Sequence, residues 1–122
     1  MYRSMIQIYV KKSDTALDFY QKAFGAKLLC KYINSDGTIA HSELDVFGQI
    51  MAVSELDEDN VVTGNTMQFC LDFGDGKEDI VKKIYEVLKE DAKIICPLDK
   101  CDYSSLMVCL IDKFGVNWCI FV

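Results

Sequence analysis

This sequence predicts an α+β fold: two βαβββ modules whose curved mixed sheets surround a cleft, with the helices packed outside. Three observations predict it. Strand-like stretches fall in two blocks, each block carries one amphipathic helix after its first strand, and an acidic, patternless stretch from Glu55 to Asn65 separates the blocks. The order strand–helix–strand–strand–strand thus occurs twice, although the residues of the two halves are not similar. At 122 residues the chain suits a single domain, with module 1 at about 1–54, a linker at 55–65 and module 2 at about 66–122. A chain of this length buries roughly two thirds of its unfolded surface, so a core forms without staples.

The elements follow in order. Met5 to Val10 alternates and is rich in bulky residues, which reads as a strand. Ser13 or Asp14 offers a helix N-cap, after which Ala16, Leu17, Tyr20, Ala23 and Phe24 share one helical face before Gly25 ends the helix. Lys27 to Ile33 is the next strand, and Asn34, Ser35, Asp36 and Gly37 form a hairpin turn of residues that tolerate positive φ. Strands then run from Ile39 to Val46 and from Gln49 to Ser54, joined by a turn at Phe47 and Gly48. In the second block Thr66 to Phe73 is a strand. Lys77 to Lys89 is a helix with Ile80, Val81, Ile84, Tyr85, Val87 and Leu88 towards the sheet. The last three strands are Lys93 to Cys96, Leu106 to Ile111 and Val116 to Val122. Pro97, the one proline, falls where a strand ends and a loop begins. Gly115 is required by the backbone of the last hairpin.

Charge and composition narrow the function classes. Thirteen basic residues face nineteen acidic ones, for a net charge of −6, and no lysine or arginine stripe stands out. Nucleic acid and anionic membrane surfaces need concentrated positive charge, so neither is an expected partner. No apolar run approaches the ~20 residues that cross a bilayer. The N-terminal residues lead directly into strand-like sequence with no signal-peptide pattern, which predicts a cytoplasmic protein. Six cysteines lie at positions 30, 70, 96, 101, 109 and 119 without a C-x-x-C pair. In a reducing compartment they read as free, mostly buried thiols, with Cys70, Cys109 and Cys119 among large apolar neighbours.

Three strings in the correct order resemble one family. ALDFYQKAFGAK (residues 16–27) is similar to the first-helix signature of the vicinal-oxygen-chelate superfamily, the glyoxalase, bleomycin-resistance and dioxygenase group. IAHSELDVFGQIMAVSE (residues 39–55) is similar to the third and fourth strands of its PhnB-like branch. IDKFGVNWCI (residues 111–120) resembles that branch's aspartate–x-phenylalanine–glycine turn and tryptophan-bearing last strand. The resemblance covers nearly the whole chain. It implies paired βαβββ modules, a homodimer, and a cleft that binds a small molecule, in many members beside a divalent metal held by histidine and glutamate. The branch's usual tryptophan–glycine pair before the penultimate strand is replaced here by KCDYSS (residues 100–105).

Strand alternation marks the side chains that line such a cleft. Met5, Gln7 and Tyr9 share one face of the first strand, and His41, Glu43 and Asp45 share one face of the third. Gln68, Cys70 and Asp72 lie on one face of the fifth, and Asn117, Cys119 and Phe121 on one face of the last. The cleft residues expected are therefore Met5, Gln7, Tyr9, Gln68, Cys119 and Phe121, together with Met51. The resemblance places the four metal positions at Met5, Glu43, Gln68 and Cys119, and only Glu43 is a usual ligand for a borderline divalent ion. The chain has one histidine, so a symmetric dimer with two sites gives each site one imidazole. The expectation is no bound cofactor, with a divalent ion as the minority alternative. One form of that alternative is a remnant zinc site of His41, Glu43 and Cys119.

Glu43 and His41 are the candidate catalytic pair, a general base or ligand-orienting carboxylate beside a proton carrier, if burial raises the carboxyl pKa. The structural alternative is an ordinary polar pair on a sheet face. Cys119 is read as a packed thiol rather than a nucleophile, Trp118, Phe69 and Phe73 as core, and the acidic run Glu55 to Asp59 as a solvated linker. Three functions compete. The first is a PhnB-like protein with a degenerate metal site that binds a small molecule without changing it. The second is a glyoxalase-related enzyme, an isomerase or lyase abstracting a proton through Glu43 and His41, with or without a weakly held divalent metal. The third is a protein-interaction module with an empty cleft.

Overall fold

The computed structural model describes residues Met1–Val122, and contacts divide them into two compact units, Met1–Val61 and Val62–Val122. The fold is α+β: two helices and eight strands, with four strands of mixed direction in each sheet. No helix is long and apolar enough to cross a membrane.

In the first unit the strands are β1 (Ile6–Val10), β2 (Lys27–Ile33), β3 (Ile39–Val46) and β4 (Gln49–Glu55), in the order β1–β4–β3–β2. β1 runs parallel to β4, and the other neighbours are antiparallel. Helix α1 (Ser13–Phe24) packs on β1, β3 and β4 through Ala16, Leu17, Phe19, Tyr20, Ala23 and Phe24, all buried. Burying a side chain such as Leu17 contributes about 1.5–3 kcal/mol, and Ile8, Val10, Leu44, Val46, Met51 and Val53 complete this core. Met51 stands opposite Ile6 and Leu44 on the helix side of its sheet, not on the cleft-type face expected of it. Alternation puts it there: Ala52, its neighbour, takes the face that carries Gln7 and Glu43. The β3–β4 turn has φ of 52° at Phe47 and 93° at Gly48. Two successive positive φ values are the type I′ signature of a two-residue hairpin.

The second unit repeats the plan with β5 (Phe69–Asp72), α2 (Glu78–Leu88), β6 (Lys93–Cys101), β7 (Ser104–Ile111) and β8 (Asn117–Phe121), in sheet order β5–β8–β7–β6. Val81, Ile84 and Leu88 of α2 are buried, one stripe of an amphipathic helix that packs on β7 and β8, while Ile80, Tyr85 and Val87 flank it half-buried. Trp118 is fully buried, with the Phe69 ring 5.5 Å away.

Several boundaries differ from the sequence reading, three of them with structural consequences. Glu55 belongs to β4 rather than to a linker, and its Oε1 accepts hydrogen bonds from Ser13 N and Ser13 Oγ at 3.0 and 2.9 Å, anchoring the start of α1. β5 is shorter than residues 66–73, because its partner β8 offers only Trp118 to Phe121 for pairing. The strand from Lys93 does not stop before Pro97 but continues through it to Cys101. Proline is tolerated there because β6 is the sheet edge and its register shifts on both sides of Cys96. In consequence Lys100 to Ser105 is a tight hairpin turning at Asp102 and Tyr103, rather than a loop.

Candidate functional site

Glu43 lies mid-strand in β3, opposite Ala52 of β4 and Cys30 of β2. The alternation that hides Ser42 and Leu44 towards α1 turns His41 and Glu43 to the other face. Glu43 is nonetheless buried, and its partners explain how a charge is kept there. Arg3 binds it in a two-pronged pair, Nη1 to Oε2 at 2.9 Å and Nη2 to Oε1 at 2.8 Å. His41 Nε2 lies 3.0 Å from Oε1. The Arg3 hydrogen bonds, and after them that of His41, hold the Glu43 carboxyl well below its usual range, at about 2, against the opposing effect of burial. The net shift is opposite to the rise that a general base at Glu43 would need. An ionised carboxylate only accepts, so His41 Nε2 carries the hydrogen of their bond.

Cys30 completes the group. Its sulfur, a His41 ring nitrogen and a Glu43 oxygen lie within 4.8 Å of one another. The thiol that joins the pair is therefore Cys30, whereas Cys119 lies in the other sheet, opposite Cys70 and Cys109. Neither Arg3 nor Cys30 was singled out in the sequence. Arg3 carried a signal all the same, as the single arginine of the chain. Cys30 becomes visible only once the register of β2 on β3 is fixed.

The remaining predicted residues are placed as follows. Met5 is half-buried just before β1. Gln7 donates from Nε2 to Ser54 Oγ at 3.1 Å, on the same face as Glu43. Tyr9 is exposed and lines a groove with Glu55, Leu56, Asp57 and Glu58. Asp45 is drawn to the β3–β4 turn, where Oδ1 accepts from Gly48 N at 2.7 Å. In the second unit Gln68 is exposed and donates to Asn117 Oδ1, Cys119 is buried, and Phe121 is half-buried with Tyr103 edge-on at 5.7 Å. Cys70 is exposed, contrary to the expectation of a packed thiol. β5 is an edge strand, and Cys70 points to the face without the helix.

Met5 and Gln68 offer a thioether and an amide, which are poor ligands for borderline divalent metals. Cys30, His41 and Glu43 have suitable chemistry, but both Glu43 oxygens are held by Arg3. No buried side-chain nitrogen or oxygen lacks a hydrogen-bond partner, so no orphaned donor atom points at a missing ion.

The architecture is shared with known structures. A PhnB protein from Bacillus cereus superposes with a TM-score of 0.81 at 19% identity, covering 98% of both chains. A protein from Pseudomonas aeruginosa gives 0.81 at 14% identity over 99% of this chain and 97% of its own. A variant of the fosfomycin resistance protein FosX from Listeria monocytogenes, solved with Mn(II) and a dihydroxypropylphosphonic acid, gives 0.66 at 16% over 98% and 90%. The likeness is one of fold, and these PhnB and FosX neighbours are members of the vicinal-oxygen-chelate superfamily. Within it, the PhnB protein matches this chain end to end. No family model and no curated protein matches the sequence.

Proposed function

We propose that this protein is a PhnB-like member of the glyoxalase superfamily with a degenerate metal site, acting as a homodimer that holds a small, partly aromatic molecule without transforming it. The observation that carries this reading is the pairing of Arg3 with both oxygens of Glu43. The one carboxylate at the positions the resemblance assigns to a metal is thereby committed to an internal ion pair. Ionised at neutral pH and doubly hydrogen-bonded, it is also a weak base. The first unit offers Met5, Gln7 and Tyr9 for ligand contact, and the second offers Gln68, Cys119 and Phe121. The test is elemental analysis of the purified protein with thermal shifts across nickel, zinc, manganese and ferrous iron, followed by a screen of small aromatic and phosphonate compounds. The expected result is no stoichiometric divalent metal and a shift of several degrees from one organic class. A stoichiometric divalent metal would overturn it.

One observation favours a second reading, a glyoxalase-related enzyme in which Glu43 and His41 abstract a proton beside a weakly held metal. The ligand atoms of Cys30, His41 and Glu43 already converge, and the Arg3 side chain is 46% exposed and able to swing away. Arg3→Ala then frees the carboxylate and should confer a zinc- or manganese-dependent thermal shift absent from the parent. If Arg3→Ala gains none, the binding reading stands. Glu43→Gln also breaks the Arg3 pair, so its loss of activity must be read beside its loss of stability.

A further inference from the structure

Five of the six cysteines gather on one face of the second sheet. Cys70 of β5 stands opposite Cys119 of β8, Cys119 opposite Cys109 of β7, and Cys109 opposite Cys96 of β6. Directly opposed residues on neighbouring strands point to the same face. The four thiols therefore form one rung across all four strands, on the face away from Trp118. Beside the rung, Met107 Sδ accepts from Cys109 Sγ at 3.5 Å, and Cys96, Cys101 and Phe121 pack against Met107, Cys109 and Cys119.

The central pair has a particular geometry. Asp112 N bonds Val116 O at one end of the β7–β8 ladder, and Val122 N bonds Leu106 O at the other. Hydrogen-bonded pairs recur at every second residue, so Cys109 and Cys119 form a non-hydrogen-bonded pair, the kind whose side chains lie closer. Cys109 and Cys119 are buried, Cys96 is half-buried and Cys70 is exposed. A thiol used only as a small apolar filler would not occupy the exposed Cys70 position.

We propose that the Cys109–Cys119 pair, flanked by Cys70 and Cys96 and with the Met107 thioether beside it, binds a soft monovalent metal ion of the Cu(I) class. Thiolate and thioether sulfur select soft ions, and the rung offers neither imidazole nor carboxylate. Spacing favours a two-coordinate ion. Neighbouring strands lie about 4.7–4.9 Å apart, close to the span of two collinear metal–sulfur bonds of roughly 2.3 Å each. Tetrahedral zinc needs four sulfurs around a point, and a rung sets them in a line. Two S–H bonds break, two copper–sulfur bonds form, two protons pass to solvent, and copper stays in the +1 state. Burial pushes the Cys119 thiol up to about 12 and raises that of Cys109, so only a strongly thiophilic ion displaces these protons. Cys70, at the exposed edge, provides the way in.

The test is anaerobic titration of the reduced protein with Cu(I) against a competing Cu(I) chelator, with proton release and the copper-edge X-ray absorption spectrum recorded. One copper per chain, two protons released and a sulfur-only shell are expected. Cys109→Ser and Cys119→Ser should each weaken binding by at least about a hundredfold, and Cys30→Ser in the other sheet should leave it unchanged. Circular dichroism establishes that the variants are folded, and the wild-type absorption spectrum decides the matter if they are not. Failure to compete with the chelator, nitrogen or oxygen in the copper shell, or loss of binding in Cys30→Ser would each overturn the proposal.

Discussion

Glu43 is stable as an anion because Arg3 and His41 are fixed beside it. Its folded-state pKa of about 2 lies below the ordinary 4.5, so the folded protein binds this proton less tightly than the unfolded chain. The stabilisation from the group is complete above pH 4.5 and is lost as pH falls towards 2. Arg3→Ala should lower the melting temperature by several degrees at pH 7 and move the acid transition upward, as followed by circular dichroism between pH 2 and 6. Asp112 is a second such residue. Buried at the start of the last turn, it accepts from Phe114 N at 2.9 Å, Val116 N at 3.1 Å and Trp118 Nε1 at 2.9 Å. Asp112→Ala strands three donors, one of them the buried indole N–H, and should cost about 3 kcal/mol in urea unfolding. Asp112→Asn keeps one acceptor oxygen and should cost less. Glu43 and His41 were legible because alternation alone puts them on one face. Arg3 and Cys30 were not, because their meeting with Glu43 depends on how a terminal segment folds back and on the register between strands.

The elements were legible wherever a periodic apolar pattern met a turn residue. Helix α1 and strands β2 and β3 end where glycine and asparagine say they should, whereas β6 runs on through Pro97 because an edge strand leaves that nitrogen unneeded. Pattern also fails at the start of α1, where neither Ser13 nor Asp14 is the cap. The preceding residue is Lys12 in the left-handed region at φ 56°, with no side-chain cap. Lys12→Gly removes that steric penalty at some cost in chain entropy and should stabilise the fold by about 0.5 kcal/mol, measured by urea unfolding. The opposite holds at Gly115, where φ is 87° and an added Cβ would lie 2.7 Å from the Thr63 methyl. Gly115→Ala should destabilise by roughly 2 kcal/mol or more.

At the scale of the whole molecule, the doubled order of elements is legible in the sequence, since helix and strand periods differ so plainly. Which residues meet across a sheet was not, because a slip of one residue turns every side chain to the opposite face. The thiol rung is a product of register and could not be read from cysteine spacing. It makes a graded prediction for a thiol-reactive reagent added to the native, metal-free protein. Cys70 should react first, Cys30, Cys96 and Cys101 more slowly, and Cys109 and Cys119 last, while all six react in denaturant. Mass spectrometry of the labelled peptides gives the order directly, and fast labelling of Cys119 would contradict its burial.

In each sheet the first strand lies at the edge, parallel to the last: β1 beside β4, and β5 beside β8. Strands β4 and β8 both offer a central position that accepts a parallel neighbour, so β1 has two partners of similar form in one chain. Synthesis from the N-terminus resolves the ambiguity by timing. When β4 leaves the ribosome, β8 has not been translated, and β1 has one place to go. A chain refolding from denaturant loses that sequence of arrivals and must choose between both partners at once.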